Sequence, residues 1–231
     1  PMTKLGWLVF GAVLLVIGGL TAFFFFMPKT APAPEPTPVV NENLEGQSIY
    51  ASGEYGFTVR YPSKAKIEET FSASYILSAS SWRANAPAAA TGTQLLAVIP
   101  YETKSDHSFP RSYAAMVRVS VSAEKDEVKS CEKATLDSNE TALPDKTLNG
   151  TVWKAFSFGD AAMQKYVKGV SYRVLHEGKC FALEQIAQGS SYKDDPKSAD
   201  DVPQETLDAA YDALDTIVET FNMTAIFGGL A

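Results

Sequence analysis

The sequence predicts an α+β protein: an antiparallel β-sheet with an amphipathic helix packed on it, preceded by one N-terminal transmembrane helix. Three observations lead there. The segment Leu5–Met27 carries no charged residue, and Thr21 is its only hydroxyl side chain. Short runs of β-branched and aromatic residues recur between turn residues from Ser48 to Ala187. Near the C-terminus, Leu207, Ala210, Tyr211, Leu214, Ile217, Val218 and Phe221 form one stripe at spacings of three and four.

The apolar segment sets the predicted topology. At 1.5 Å per helical residue it reaches about 34 Å, enough for a hydrocarbon core of about 30 Å. A cleaved signal peptide has a shorter core and small residues at its end. Here Phe23–Met27 fills that place, and Ala31 and Ala33 make only a weak cleavage motif around Pro32. A lipoprotein needs a cysteine just after the apolar run, and the first is Cys131. A pilin-type anchor carries an early glutamate and continues as one long helix, whereas the first acid here is Glu35 and Pro28 stops the helix. Lys4 and Lys29 nearly balance the positive-inside rule. The reading is a short cytoplasmic N-terminus (1–4), a transmembrane helix (5–27) and a C-terminal part outside the cytoplasm of a single-pass cell-membrane protein. Residues 28–47, opening with PKTAPAPEPTP, read as a polyproline-type linker.

The domain is placed at 48–223, with folding expected to start near Gly46, and 224–231 is left as a small apolar tail. Ile49–Ala51 and Phe57–Tyr61 read as strands around a Gly53–Gly56 turn. Further strands are expected at Tyr75–Ala79, Gln94–Tyr101 and Ala115–Ala123. In the last, Val117, Val119 and Val121 alternate with Arg118, Ser120 and Ser122, which predicts one buried and one solvated face. Trp82–Gly92 and Thr103–Arg111 read as loops, Asp126–Ala134 as a short helix, and Leu136–Lys146 as a polar connection. Asn149-Gly150 between apolar runs is the strongest hairpin signal, with Gly159-Asp160 expected to end its second strand. A second hairpin turns at Glu177-Gly178, and a polar loop, Gly189–Val202, leads to the helix Glu205–Phe221. Asp208, Asp212, Asp215 and Glu219 lie on its opposite, solvated face.

These elements carry a resemblance. YGFTVRYP at Tyr55–Pro62, the antiparallel strands, the segment Phe158–Met163 before the Tyr172-Arg173 … Gly178–Phe181 hairpin, and TIVETF at Thr216–Phe221 together look like the PsbP-like family, and most resemble its uncharacterised membrane-anchored bacterial members. The resemblance implies an antiparallel sheet covered by helices. Photosynthetic PsbP proteins bind a photosystem at a membrane face, but no binding residue of theirs can be placed on this chain, so no activity is carried over.

Composition narrows function further. The net charge is -7, and no Lys/Arg run exists, which argues against nucleic-acid binding. No H-E-x-x-H, phosphate loop, G-x-S-x-G or dinucleotide fingerprint occurs, so no catalytic, metal or cofactor residue is assigned. His107 reads as part of an exposed loop and His176 as a strand end. Trp82, Trp153, Tyr101 and Tyr172 could line a groove, although aromatics at strand positions more often form core. The sequons at Asn139, Asn149 and Asn222 matter only in a eukaryotic secretory pathway. Cys131 and Cys180 are the only cysteines, and the expected export places both where thiols oxidise, so they are predicted to form a disulfide. The functional expectation is a non-enzymatic, membrane-tethered binding or scaffolding domain for an unknown envelope protein or ligand. An envelope hydrolase and a pilin-like assembly subunit are the alternatives.

Overall fold

A computed structural model describes residues 41–44, 46–72, 77–103, 113–136, 138–162, 165–190 and 203–224. The predicted membrane segment 5–27 and tail 225–231 lie outside the described residues, as do His107, Met163 and the loop 191–202. Among the described residues no helix is long and apolar enough to cross a membrane.

Two antiparallel sheets form the domain. The larger has seven strands: β4 (Lys66–Glu68), β5 (Thr93–Thr103), β6 (Tyr113–Ser122), β7 (Thr141–Leu148), β8 (Thr151–Ala162), β9 (Lys165–His176) and β10 (Lys179–Ser190), in the order β4-β5-β6-β10-β9-β8-β7. The smaller has four: β1 (Asn41–Leu44), β2 (Gln47–Ser52), β3 (Phe57–Pro62) and β11 (Asn222–Met223), in the order β1-β2-β3-β11. Three short helices complete the described elements: α1 (Lys125–Ser130), α2 (Gln204–Asp212) and α3 (Leu214–Thr220).

The helix-covered α+β sheet expected from the sequence is therefore corrected to a mostly β architecture. The strands read at Ile49–Ala51 and Phe57–Tyr61 do form, but in a separate sheet stacked on the large one. Alternation along a strand specifies which residues are buried, not which sheet buries them. Tyr50, Phe57, Val59 and Tyr61 of the small sheet pack with Val117, Val119, Trp153, Tyr172 and Leu183 of the large one. Phe221 joins the layers: its ring stacks on Phe57 at 5.2 Å and meets Trp153 edge-on at 5.4 Å. β1 also lies inside the segment read as linker, pairing Asn41 with Ile49 and Leu44 with Gln47.

The amphipathic stripe was read as one helix, and it breaks at Ala213. There ψ is -20°, close to 3₁₀ geometry, and the preceding Tyr211 carbonyl accepts a hydrogen bond from Gln185 Nε2 at 3.3 Å. Leu214, Ile217 and Val218 of α3 are buried, whereas Leu207, Ala210 and Tyr211 of α2 are only partly so. The stripe thus supplies one short, well-buried helix rather than a cover for the sheet.

Turn chemistry follows the sequence. Asn149 and Gly150 both have positive φ (45° and 85°), as do Glu177 and Gly178 (48° and 74°), the pattern of two-residue primed hairpin turns. Asn149 also donates through Nδ2 to the carbonyls of Glu219 (3.1 Å) and Phe221 (2.7 Å), tying the β7–β8 turn to the end of α3. Other boundaries differ. β8 runs through Gly159-Asp160 to Ala162, because both residues stay paired with Lys168 and Val167 of β9. β7 occupies much of the stretch read as a polar connection. It is an edge strand, and Pro144 with the irregularity between Leu143 and Lys146 suits an edge that must not pair further. Leu77–Ala79 is a bend and turn rather than a strand, and α1 ends at Ser130, short of the expected Ala134.

Candidate functional site

The second face of the large sheet holds the chemistry. β6 is buried on both faces, so Arg118, Ser120 and Ser122 do not meet solvent as their alternation suggested. The segment 77–92, α1 and the stretch to Glu140 supply side chains and backbone groups that meet them.

One rung of aligned residues crosses the sheet on this face: Glu68, Ala97, Arg118, Glu184, Ser171 and Phe156, on β4, β5, β6, β10, β9 and β8. Arg118 donates from Nε (3.2 Å) and Nη2 (2.6 Å) to Glu184 Oε2, and Glu184 Oε1 accepts the Ala84 backbone N–H at 2.8 Å. Beside this rung Arg173 donates to Ser171 Oγ (3.1 Å), the Lys133 carbonyl (3.1 Å) and Glu140 Oε1. From the cover, Arg83 donates to Glu127 Oε2 through Nε (3.2 Å) and Nη2 (3.0 Å) and to Thr135 Oγ1 (3.0 Å). Glu140 Oε2 takes the Thr135 N–H at 2.7 Å.

Three arginines thus meet three glutamates, and all six side chains are at most 5% exposed. Ions taken this far from water need both opposite charges and directed hydrogen bonds, and each group here has both. Burial and the neighbouring Arg83 push the Arg173 guanidinium below its ordinary value, while Glu140 opposes the shift. The planes of Arg118 and Arg173 lie over Phe71 (4.2 Å) and Phe156 (4.6 Å). This network fastens the irregular cover to the sheet.

Cys131 and Cys180 sit at one border of the network and are joined, as predicted, by a disulfide with a Cα–Cα distance of 5.6 Å. Trp82, Cys131, Cys180 and Ala182 form a small buried cluster, with Ala86 and Ala90 packed on it. The four aromatics considered as a groove do not converge. Trp82 packs on the second face, whereas Trp153 and Tyr172 belong to the first-face core and Tyr101 is partly buried against it. His176 ends β9, 4.0 Å from Glu177. Among the described residues no group of three or more His, Cys, Asp or Glu could hold a metal ion.

At the other border of the network a cleft of about 50 Å³ opens between Phe71, Ser72 and Leu77 on one side and strands β4–β6 on the other. Ala97, Ile99, Ala114 and Met116 line it, with Lys66, Glu68, Glu102, Arg118 and Gln188 around it. Lys66 Nζ lies 2.7 Å from Glu68, and this contact with the Ser72 hydroxyl (2.8 Å) holds the Glu68 carboxyl below the usual carboxylate range.

Sequence reasoning missed both features. The available signal was a charge halfway along each of two otherwise apolar strands, Arg118 in β6 and Glu184 in β10. Their pairing depends on register between strands 66 residues apart in sequence. No protein-family model and no curated protein matches the chain.

Proposed function

We propose that this chain is a membrane-tethered, extracytoplasmic binding or scaffolding domain, held at the membrane through the apolar segment Leu5–Met27. The observation that carries the reading is the Cys131–Cys180 disulfide, since such bonds persist in oxidising compartments and are rare in the cytosol. The charge-free segment and the proline-rich stretch after it support the same arrangement, a domain spaced away from a bilayer. The strongest polar constellation in the domain is occupied in holding its own cover, which favours a rigid recognition surface over a reacting centre.

The test is to fractionate cells expressing the full chain and to alkylate it under denaturing conditions with and without prior reduction. The expected result is carbonate-resistant protein in the membrane fraction whose two cysteines react only after reduction. Quantitative release by carbonate, or two free thiols in unreduced protein, overturns the reading.

A further inference from the structure

The Asn149-Gly150 turn carries a chemistry that the binding reading does not use. The chain has six asparagines, and Asn149 is the one followed by glycine. An asparagine carboxamide is open to attack by the backbone nitrogen of the next residue, and a side chain on that residue hinders the approach. Glycine has none. Asn149 and Gly150 are both exposed, and a side chain built on Gly150 would meet nothing within 4 Å. The pair is therefore open to water and hydroxide.

The same carboxamide fastens the end of α3. Its Nδ2 donates to the carbonyls of Glu219 (3.1 Å) and Phe221 (2.7 Å). Departure of that nitrogen as ammonia requires an added proton, and the two carbonyl oxygens facing it accept hydrogen bonds but donate none. Both bonds must open before the nitrogen can leave. The end of α3 is also held from the other side. Thr220 Oγ1 accepts the Arg60 N–H at 2.9 Å and lies 3.1 Å from the Arg60 carbonyl oxygen. Phe221 packs against Phe57 and Trp153. Opening of the latch is thus a local event, set by how firmly the end of α3 is docked.

We propose that Asn149 is a site of deamidation gated by this latch, and that the product cannot close the latch again. Gly150 N attacks Asn149 Cγ, so the N–Cγ bond forms and the Cγ–Nδ2 bond breaks. The Gly150 amide proton passes to hydroxide, Nδ2 gains a proton from water, and ammonia leaves behind a cyclic imide. Water then opens the ring. Cleavage of N–Cγ gives aspartate, and cleavage between N and the Asn149 carbonyl carbon gives isoaspartate. In either product a carboxylate replaces the donor, and its oxygens meet two carbonyl oxygens. Isoaspartate also adds a methylene to the backbone of the turn. The change runs one way, and it frees α3 from the β7–β8 turn while the Thr220–Arg60 contact remains. It is independent of the membrane reading above.

The experiment incubates the full chain in detergent micelles at mildly alkaline pH, folded and in denaturant. Conversion is followed by peptide mass mapping and by isoaspartate-specific methylation. The expected result is conversion at Asn149 ahead of the other five asparagines. The folded chain should convert slower than the unfolded one by about tenfold or more, the net worth of two hydrogen bonds. Thr220→Val lies outside the turn and should speed conversion in the folded chain about fivefold, the worth of one such bond. If that variant does not fold, denaturant below the unfolding transition should raise the rate in its place. Asn149→Asp carries the charge of the product and should quicken amide exchange at Phe221 and Asn222, whose N–H groups belong to the end of α3 and to β11. No conversion at Asn149 in the folded chain, with or without that loosening, overturns the site. Equal rates in folded and unfolded chains overturn the gate. Unchanged exchange in Asn149→Asp overturns the claim that the product leaves the latch open.

Discussion

The two faces of the large sheet are buried by opposite means. The first face is apolar and is covered by regular structure, the small sheet and α3, through residues such as Phe57, Val59, Leu214 and Phe221. The second is crossed by charged residues and is covered largely by the irregular residues 77–92 and 131–136 and the short α1, held by Arg–Glu pairs and a disulfide. Non-directional burial suffices where the cover has its own backbone hydrogen bonds. A cover without a sheet or long helix needs directed bonds to fix its position. The first face should therefore tolerate conservative substitutions, and the second should fail when a single partner is removed.

The sharpest test removes one ion. Glu184→Ala leaves Arg118 uncompensated and the Ala84 N–H unpaired, and should destabilise by about 3–5 kcal/mol in denaturant melts. The double replacement Arg118→Met with Glu184→Leu removes both charges and should recover most of that loss. If the single change is neutral, the pair does not hold the cover.

Removing the disulfide with Cys131→Ala and Cys180→Ala comes next. The sequence separation is 49 residues, and the chain-entropy model gives about 4 kcal/mol. Hydrogen exchange should rise in residues 131–136 and 138–140 while β2 and β3 stay protected. Uniform loosening of both faces would contradict the division between them.

On the first face, the two halves of the broken stripe offer an internal control. Leu214→Ala should cost about 2–5 kcal/mol, because Leu214 is fully buried. Leu207→Ala should cost under about 1 kcal/mol, because α2 buries none of its residues fully. Equal losses would mean that the stripe acts as one continuous helix.

High pH probes the same layer without substitution. Burial pushes the Tyr172 and Tyr211 hydroxyls up to about 12, and Asp215 adds to both shifts. Their contribution is complete below the unfolded value of about 10 and is lost as pH rises toward 12, since the unfolded chain ionises first. Stability should fall across that window, and Tyr172→Phe with Tyr211→Phe should flatten the fall.

The contrast between the faces also governs what the sequence made legible. The turns at Asn149-Gly150 and Glu177-Gly178 and the buried residues Leu214, Ile217 and Phe221 follow from local chemistry, and each was read correctly. The cysteine pair needed only a count and a compartment. Arg118 was assigned to solvent because alternation alone cannot report that Glu184 lies opposite it, or that Ala84 will come to rest on that glutamate. The expected helical cover failed for a related reason: nothing local to Tyr50–Tyr61 tells a strand of the main sheet from a strand of a second one. The cleft was invisible because its lining comes from β4, β5, β6, β10 and the residues beside Phe71, which only the fold brings together.

The smallest expected effect concerns the outermost strand of the first-face cover. Among the described residues β1 pairs with β2 alone, and its register is irregular between Glu42 and Leu44. The turn that follows uses Gly46 at φ 77°, and the Gly46 carbonyl accepts the Ser63 N–H at 3.0 Å. A chain beginning at Gly46 keeps that bond and the whole β2–β3 pairing, so among the described residues it loses the β1–β2 edge-strand hydrogen bonds. The expected loss is about 1 kcal/mol, or roughly 2–4 °C in Tm for a domain of this size. Amide exchange in β2 should quicken while β3, paired on its far side with β11, stays protected. Loss of cooperative melting would mean that β1 is required for the small sheet to form, and that the cover of the first face depends on its edge as strongly as the second depends on its ions.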